Sequence, residues 1–245
     1  MHGDVSPALP ARRQPAPPRP LVRRRAVRTE VVVFGRAPQA GRVKTRLAAA
    51  IGARAAAQAY RAVLEHTLVE AVASGFLVTL ALAEPAGAGT AWAPPPGVGV
   101  ELQAIGDLGA RMAAAFAAHF AAGAEVVVLV GSDIPRLGAA MIRHAAAACG
   151  RVPVVLGPAV DGGYVLVAQR SPGVAMFAGV PWSSPDTLAA TRERLALLGT
   201  GHEELETVRD IDTVDDLNAV LADPALAGDL RRRLETIVRA VRSKG

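Results

Sequence analysis

The residues best suited to chemistry stand directly after apolar runs. GRAPQAGRVKTRLA (35–48) follows the run TEVVVFG and brings Gly35, Gly41 and four cations, Arg36, Arg42, Lys44 and Arg46, to what reads as a strand-to-helix turn. Free backbone N–H groups at a helix start attract phosphate oxygens, and forked guanidiniums with a point-charge ammonium neutralise a polyphosphate. Neither GxxxxGK[ST] nor GxGxxG is present, so a solvated basic turn is the plain alternative.

A second group is acidic. LVGSDIPRL (129–137) ends an apolar run in Gly131, Ser132 and Asp133, where a carboxylate points into a crevice and suits a hard divalent cation, or else caps the next helix. VDGGYVL (160–166) sets Asp161 on the Gly162–Gly163 turn before Tyr164, and VRDIDTVDDL (208–217) sets Asp210 and Asp212 just before a helix. In extended chain those two aspartates share one face, so either could reach a metal. Asp215 and Asp216 read instead as first-turn acids, Asp216 in a capping box with Thr213.

These residues need elements to hold them. TEVVVFG, FLVTLALAE (76–84), VGVELQAI (98–105), EVVVLVG (125–131), PVVLG (153–157) and GYVLVAQ (163–169) read as strands. Between and after them lie helical stretches over 44–74, broken at Gly52, and over 108–122, 136–149, 185–198 with Ser184 as N-cap, 213 onward, and 224–243. That alternation predicts an α/β fold with a mostly parallel sheet, helices on both faces, and ligands beyond the carboxyl ends of the strands. His66, His119 and His144 fall within helices, His202 in an edge segment and His2 in the tail, so none is assigned to catalysis.

Composition limits the function classes. The chain of 245 residues is 51% hydrophobic, which excludes wholesale disorder, and its one cysteine, Cys149, excludes a disulfide framework and fits a reducing, cytoplasmic setting. The net charge of +5 belongs to residues 1–28, which hold seven arginines and Asp4 and are rich in proline. Subtracting these from 27 basic and 22 acidic residues leaves 20 and 21, so the body from 29 to 245 is nearly neutral. Residues 1–28 are expected to be a disordered tail, and 29–245 one domain. With aromatics at 4% and no long apolar span, neither nucleic acid nor membrane is the expected partner.

In order, FGRAPQAGRVKTRLA, GDLGARM (106–112), GSDIPRL, GPAVDGGYVL, GVPWSSPDTL (179–188) and DIDTVDDL (210–217) resemble an incompletely characterised bacterial family of GT-A-type transferases. That family lies in the nucleotide-diphospho-sugar transferase superfamily, and its members are often labelled glycosyltransferases, some of the arsenosugar-biosynthesis type. The similarity spans about 29–221. KTRL is more distantly similar to the equivalent segment of phospholactate and phosphoenolpyruvate guanylyltransferases, and DIDTxxDL to that of molybdenum-cofactor nucleotidyltransferases; Val214 stands where those often have proline.

The resemblance implies a Rossmann-like GT-A fold, a nucleotide on the first-strand loop, and Mg2+ or Mn2+ held by Asp133 and Asp212. Gly106, Asp107 and Gly109 would line the base or ribose, although Asp107 also suits a helix N-cap. Asp161, Gly162, Gly163, Tyr164 and Trp182 would face a small-molecule acceptor, although Trp182 suits a core plug still better. Gly131 replaces the first aspartate of the DxD common in GT-A glycosyltransferases. Nucleotidyl transfer from an NTP to a phosphorylated or carboxylated acceptor therefore leads, with Lys44, Arg46 and Asp133 at the reaction centre. Glycosyl transfer with Asp161 as base is the alternative, and nucleotide binding without catalysis the third.

Overall fold

The computed structural model describes residues 27–85, 92–171 and 175–243. Seven strands form one sheet: Thr29–Gly35 (β1), Leu77–Leu82 (β2), Val98–Leu102 (β3), Val126–Gly131 (β4), Val154–Pro158 (β5), Tyr164–Gln169 (β6) and His202–Glu204 (β7). Their order is β3-β2-β1-β4-β6-β5-β7. All run parallel except β6, which is antiparallel to β4 and β5. The helices are Thr45–Ile51 (α1), Ala53–Ala73 (α2), Leu108–Ala121 (α3), Ala139–Ala148 (α4), Thr187–Leu197 (α5), Val214–Ala222 (α6) and Gly228–Arg242 (α7). None among the described residues is long and apolar enough to cross a membrane.

β1 lacks polar alternation because both its faces are covered. Val31 and Val33 pack with Leu64, Leu68 and Ile142 of α2 and α4, while Val32 and Phe34 pack with Met112, Phe116 and Leu195 of α3 and α5. A third cluster joins α1 and α2 to α6 and α7 through Val63, Leu217, Leu230 and Leu234. The alanine-rich stretch divides at Gly52, whose φ of 84° and ψ of 149° end α1 and begin α2.

Two local expectations change. α5 starts at Thr187 with Asp186 as its N-cap, and neither Ser184 nor Pro185 belongs to it. Ser184 Oγ instead accepts from the Asp186 amide at 3.2 Å, and Thr187 Oγ1 donates to Pro181 and Ser184 carbonyls, so a turn absorbs both residues. Of the expected tail, residues 1–26 lie outside the described residues, but Arg28 is tied down: it donates to Glu30 Oε1 at 3.0 Å and to the Ala122 carbonyl at 2.8 Å. Buried His119 sits between Glu30 and Glu101 at 2.6 and 3.4 Å, beneath β1 and β3.

β2 and β4 flank β1 on opposite sides, so the chain reverses its winding at the β1/β4 boundary. Beyond the carboxyl ends of these two strands a crevice opens, the place where such sheets bind ligands.

Candidate functional site

The crevice has two chambers. The first, of about 400 Å3, is lined by the end of β1 and its loop (Gly35, Arg36, Arg42, Lys44), by Ser132 and Asp133 after β4, and by Gln103 and Arg111. Gly35 permits the strand ends to meet, because a Cβ there would lie 3.2 Å from Ser132 Cβ. Tyr60 of α2 fixes the loop from below: its hydroxyl accepts from the Arg36 amide at 2.9 Å and shares a hydrogen bond of 2.9 Å with Ser132 Oγ. Burial raises the Tyr60 pKa, so the hydroxyl stays protonated. Arg36 and Arg42 remain more than half exposed, with Glu84 at 3.6 and 3.7 Å as a loose partner.

Lys44 anchors the centre. It caps α1 in the left-handed conformation (φ 48°, ψ 52°), which turns its side chain inward. Its ammonium lies 2.6 Å from Asp133 Oδ2 and 3.6 Å from Asp212 Oδ1, with the side chain only 10% exposed. Burial alone would lower its pKa, but Asp133, Asp212 and Asp210 together hold it above the usual 10.5. The Ile211 amide donates to the Asp133 carbonyl at 3.2 Å, which ties the late aspartates to the end of β4. The capping box predicted at Thr213 and Asp216 is present, and Asp216 Oδ2 also accepts from the Asp212 amide.

Asp210 is the strained member of this group. Burial first, and then the neighbouring Asp133 and Asp161 carboxylates, push its pKa from 3.8 up to about 6 despite Lys44. Between those values the folded protein binds more protons than the unfolded chain, so stability falls as pH rises through the window. Asp210→Asn is therefore expected to raise the melting temperature at pH 7, by a free energy on the order of 1–3 kcal/mol, and to change it little below pH 4. Thermal unfolding of both proteins from pH 3.5 to 7.5 checks this; equal pH dependence would contradict it.

The second chamber, of about 660 Å3, shares Phe34, Leu108, Asp133 and Asp212 with the first and extends under Tyr164 and Trp182. Arg46 and Asp161 line it too, Arg46 paired with Asp212 at 3.0 Å. Gly109 is the seat of Trp182, since a Cβ there would stand 2.5 Å from the indole nitrogen. Gly109→Ala should therefore cost about 1–3 kcal/mol and displace the indole, visible as altered near-ultraviolet dichroism. An unaltered spectrum and melting point would show that the indole is loosely held.

Most residues expected from the sequence converge here, by two kinds of role. Gly35, Arg36, Arg42, Lys44, Ser132, Asp133 and Asp212 line the first chamber, whereas Arg46 and Asp161 line the second. Asp161 also serves its own turn, accepting from the Gly163 amide at 2.9 Å. Gly163, Tyr164 and Trp182 line the second chamber, and Gly162 (φ 87°) packs against the Pro185 carbonyl, where a Cβ would stand 2.1 Å away. Gly41 (φ 80°) turns the loop. Asp107 caps α3 by accepting from the Ala110 amide at 2.8 Å, so from its segment Leu108 and Arg111 face the cavity. The sequence reading missed Tyr60, Gln103 and Arg111. Tyr60 had one signal, a lone aromatic in an alanine-rich helix of a chain with two tyrosines.

A mostly parallel sheet with a cationic loop after its first strand and an acidic cluster at the switch point gives this chain the fold of nucleotide-diphospho-sugar transferases and nucleotidyltransferases. Residues 63–184 match the sequence model of a family described as an uncharacterized protein conserved in bacteria (DUF2064). No curated protein matches the chain. Among solved structures it is similar to a Desulfovibrio desulfuricans G20 protein provisionally described as a nucleotide-diphospho-sugar transferase. The two are 28% identical over 89% of this chain and 98% of that one, with a TM-score of 0.78. Rv0371c of Mycobacterium tuberculosis H37Rv, in complex with manganese, is 21% identical over 80% of this chain and 98% of its own (TM-score 0.50). CMP:2-keto-3-deoxy-manno-octonic acid synthetase complexed with CTP is 15% identical over 79% of this chain and 96% of its own (TM-score 0.50). The last two likenesses concern the fold alone.

Proposed function

We propose that this chain is a nucleotidyltransferase that moves a nucleoside monophosphate from a nucleoside triphosphate to a small acceptor, releasing pyrophosphate. The observation that carries the reading is the meeting of the two chambers at Asp133 and Asp212, with Lys44 and the other loop cations on one side and an acceptor-sized space on the other. Arg36 and Arg42, exposed and loosely paired, would bind the β- and γ-phosphates. Lys44 and Arg46 flank the carboxylates and would orient the α-phosphate between chambers. Gln103 donates to the Ala81 carbonyl at 2.8 Å, which leaves its amide oxygen for the base, with Arg111 beside it.

The donor set suits a hard divalent cation. Oxygen ligands from Asp133 and Asp212 match the one or two carboxylates by which magnesium is commonly held beside phosphates, and Asp161 and Asp210 line the same chamber beside them. Among the described residues no cluster of three or more ligating side chains forms a complete protein cage, so substrate phosphates would complete the shell. When bound, magnesium or manganese supplies charge neutralisation at the phosphate under attack. The protein's own part is to hold donor and acceptor in line and to present Lys44 and Arg46 to the developing charge.

Gly131 favours this reading over glycosyl transfer. Gly131 stands where a DxD has its first aspartate, and a Cβ there would lie 3.1 Å from Asp133 Oδ1, so a side chain at this position would require the Asp133 carboxylate to give way slightly. Glycosyl transfer from a nucleotide-diphospho-sugar stays as the second reading because Asp161 lies in the acceptor chamber, where a base would be needed. A magnesium-dependent thermal-stabilisation screen separates the two. Triphosphate binding followed by pyrophosphate release supports nucleotidyl transfer, whereas stabilisation only by nucleotide sugars would overturn it. A ligand at 100 times its Kd adds about 2.7 kcal/mol, which is ample signal.

A further inference from the structure

We infer that the second chamber accepts an uncharged, hydroxyl-bearing ring compound of the sugar or cyclitol kind, stacked on Trp182, with Asp161 taking the proton of the attacking hydroxyl. What that hydroxyl attacks rests on the nucleotidyl-transfer reading above; how the acceptor is recognised does not. This replaces the phosphorylated or carboxylated acceptor expected from the sequence.

Charge decides against an anion. Asp133, Asp161, Asp210 and Asp212 all line this chamber, and among the described residues the one cation lining it, Arg46, pairs with Asp212 at 3.0 Å. Lys44 is held at 2.6 Å from Asp133 and does not line the second chamber. An acceptor phosphate or carboxylate would therefore enter among carboxylates where, among the described residues, Arg46 in its pair with Asp212 is the only cation. Filling Asp133 and Asp212 with a divalent cation still leaves Asp161 and Asp210. The first chamber is the opposite case, with Arg36 and Arg42 exposed in it.

Shape and hydrogen bonding point to a polyol ring. Trp182 is held against the backbone at Gly109 and meets Tyr164 edge-on, with ring centroids 6.2 Å apart and an interplanar angle of 81°. Leu108 and Met112 extend the apolar wall on which the C–H face of a ring can lie. The same chamber is lined by carboxylate acceptors and the hydroxyls of Ser183 and Ser184, a set that suits O–H donors. Ser183 holds a left-handed φ of 59°, uncommon for a residue with a Cβ, immediately after Trp182.

Asp161 is oriented for proton transfer. Its Oδ1 is engaged by the Gly163 amide at 2.9 Å, which leaves Oδ2 available. In the reaction the acceptor oxygen forms a bond to the α-phosphorus while the bond from that phosphorus to the bridging oxygen breaks. Pyrophosphate departs with the electron pair, and the hydroxyl proton passes to Asp161 Oδ2 and then to water.

The test reads acceptor binding without any donor. The chain has two tryptophans, Trp92 and Trp182, so fluorescence of a Trp92→Phe protein reports the second chamber; the difference between wild type and Trp182→Phe serves if Trp92→Phe folds poorly. Neutral hexoses and cyclitols are titrated beside their phosphorylated, carboxylated and amino counterparts. Expected is a change in the Trp182 signal by neutral members, at a Kd about tenfold or more below that of the matched phosphates and uronates, equivalent to roughly 1.4 kcal/mol. Tighter binding of the anionic or amino counterparts, or no change with any compound, overturns the inference. Asp161→Asn should lower kcat on the order of 10²-fold or more, beyond any loss of acceptor affinity. Retained kcat would remove Asp161 from proton transfer. If neutral acceptors bind but no triphosphate does, the nucleotidyl reading fails and the acceptor inference stands.

Discussion

Asp133→Asn is expected to abolish divalent-dependent turnover, a loss on the order of 10³-fold or more, since the Lewis-acid contribution of a bound cation is several kcal/mol. The amide preserves shape and can still accept a hydrogen bond, but it lacks the charge that holds a hard cation. Stability should fall as well. Lys44 is 10% exposed and loses its partner at 2.6 Å, keeping Asp212 at 3.6 Å as the nearer replacement. Breaking a fully buried pair costs about 3–5 kcal/mol, and because the Asp133 side chain is 29% exposed the expected cost here is about 1–3 kcal/mol. Asp212→Asn should lose turnover similarly, and the double variant should lose little more, because residues acting as a unit are not additive. Asp215→Asn is the control, an exposed first-turn acid of α6. Steady-state rates with and without chelator, together with urea unfolding, test all four. An Asp133→Asn protein that turns over normally would remove the metal site.

How much of this was legible in sequence depended on the range of the interaction. β1 and β4 were readable as unbroken apolar runs and α3 as a local helical stretch, and the break at Gly52 because glycine alone tolerates that φ cheaply. The capping box at Thr213 was readable for the same reason, its partners standing three residues apart. The order of the sheet was not: β6 inserts antiparallel between β4 and β5, and three-residue β7 exists only through its pairing with β5. Within the site, residue types after apolar strands gave the aspartates and the basic loop. The charge pairing was hidden, since Lys44 and Asp133 lie 89 positions apart. Sequence suggested a phosphate-binding lysine and a separate carboxylate pair; in the fold the lysine occupies the space between those carboxylates.

That position makes Lys44→Gln the most discriminating substitution in the phosphate loop. Glutamine is slightly shorter and keeps hydrogen-bonding capacity but removes the ammonium, so nucleoside triphosphate affinity should fall by about 1–3 kcal/mol, as for a lost charge-assisted contact. Affinity for Mn2+ in the absence of nucleotide should move the other way. In the wild type a cation must compete with an ammonium 2.6 Å from Asp133 and 3.6 Å from Asp212, and the variant presents the same oxygens uncontested. The pH dependence carries its own sign. Because the folded Lys44 pKa is raised above 10.5, the pair's contribution to stability is fully present below that value and is lost as pH rises through the higher folded value. The stability gap between wild type and Lys44→Gln should therefore hold steady from pH 7 to about 10 and close only in stronger base. Electron paramagnetic resonance titration of Mn2+ against nucleotide-free protein gives the decisive number. Equal Mn2+ affinity in the two proteins would mean that Asp133 and Asp212 do not form a cation site, whatever happens to nucleotide binding.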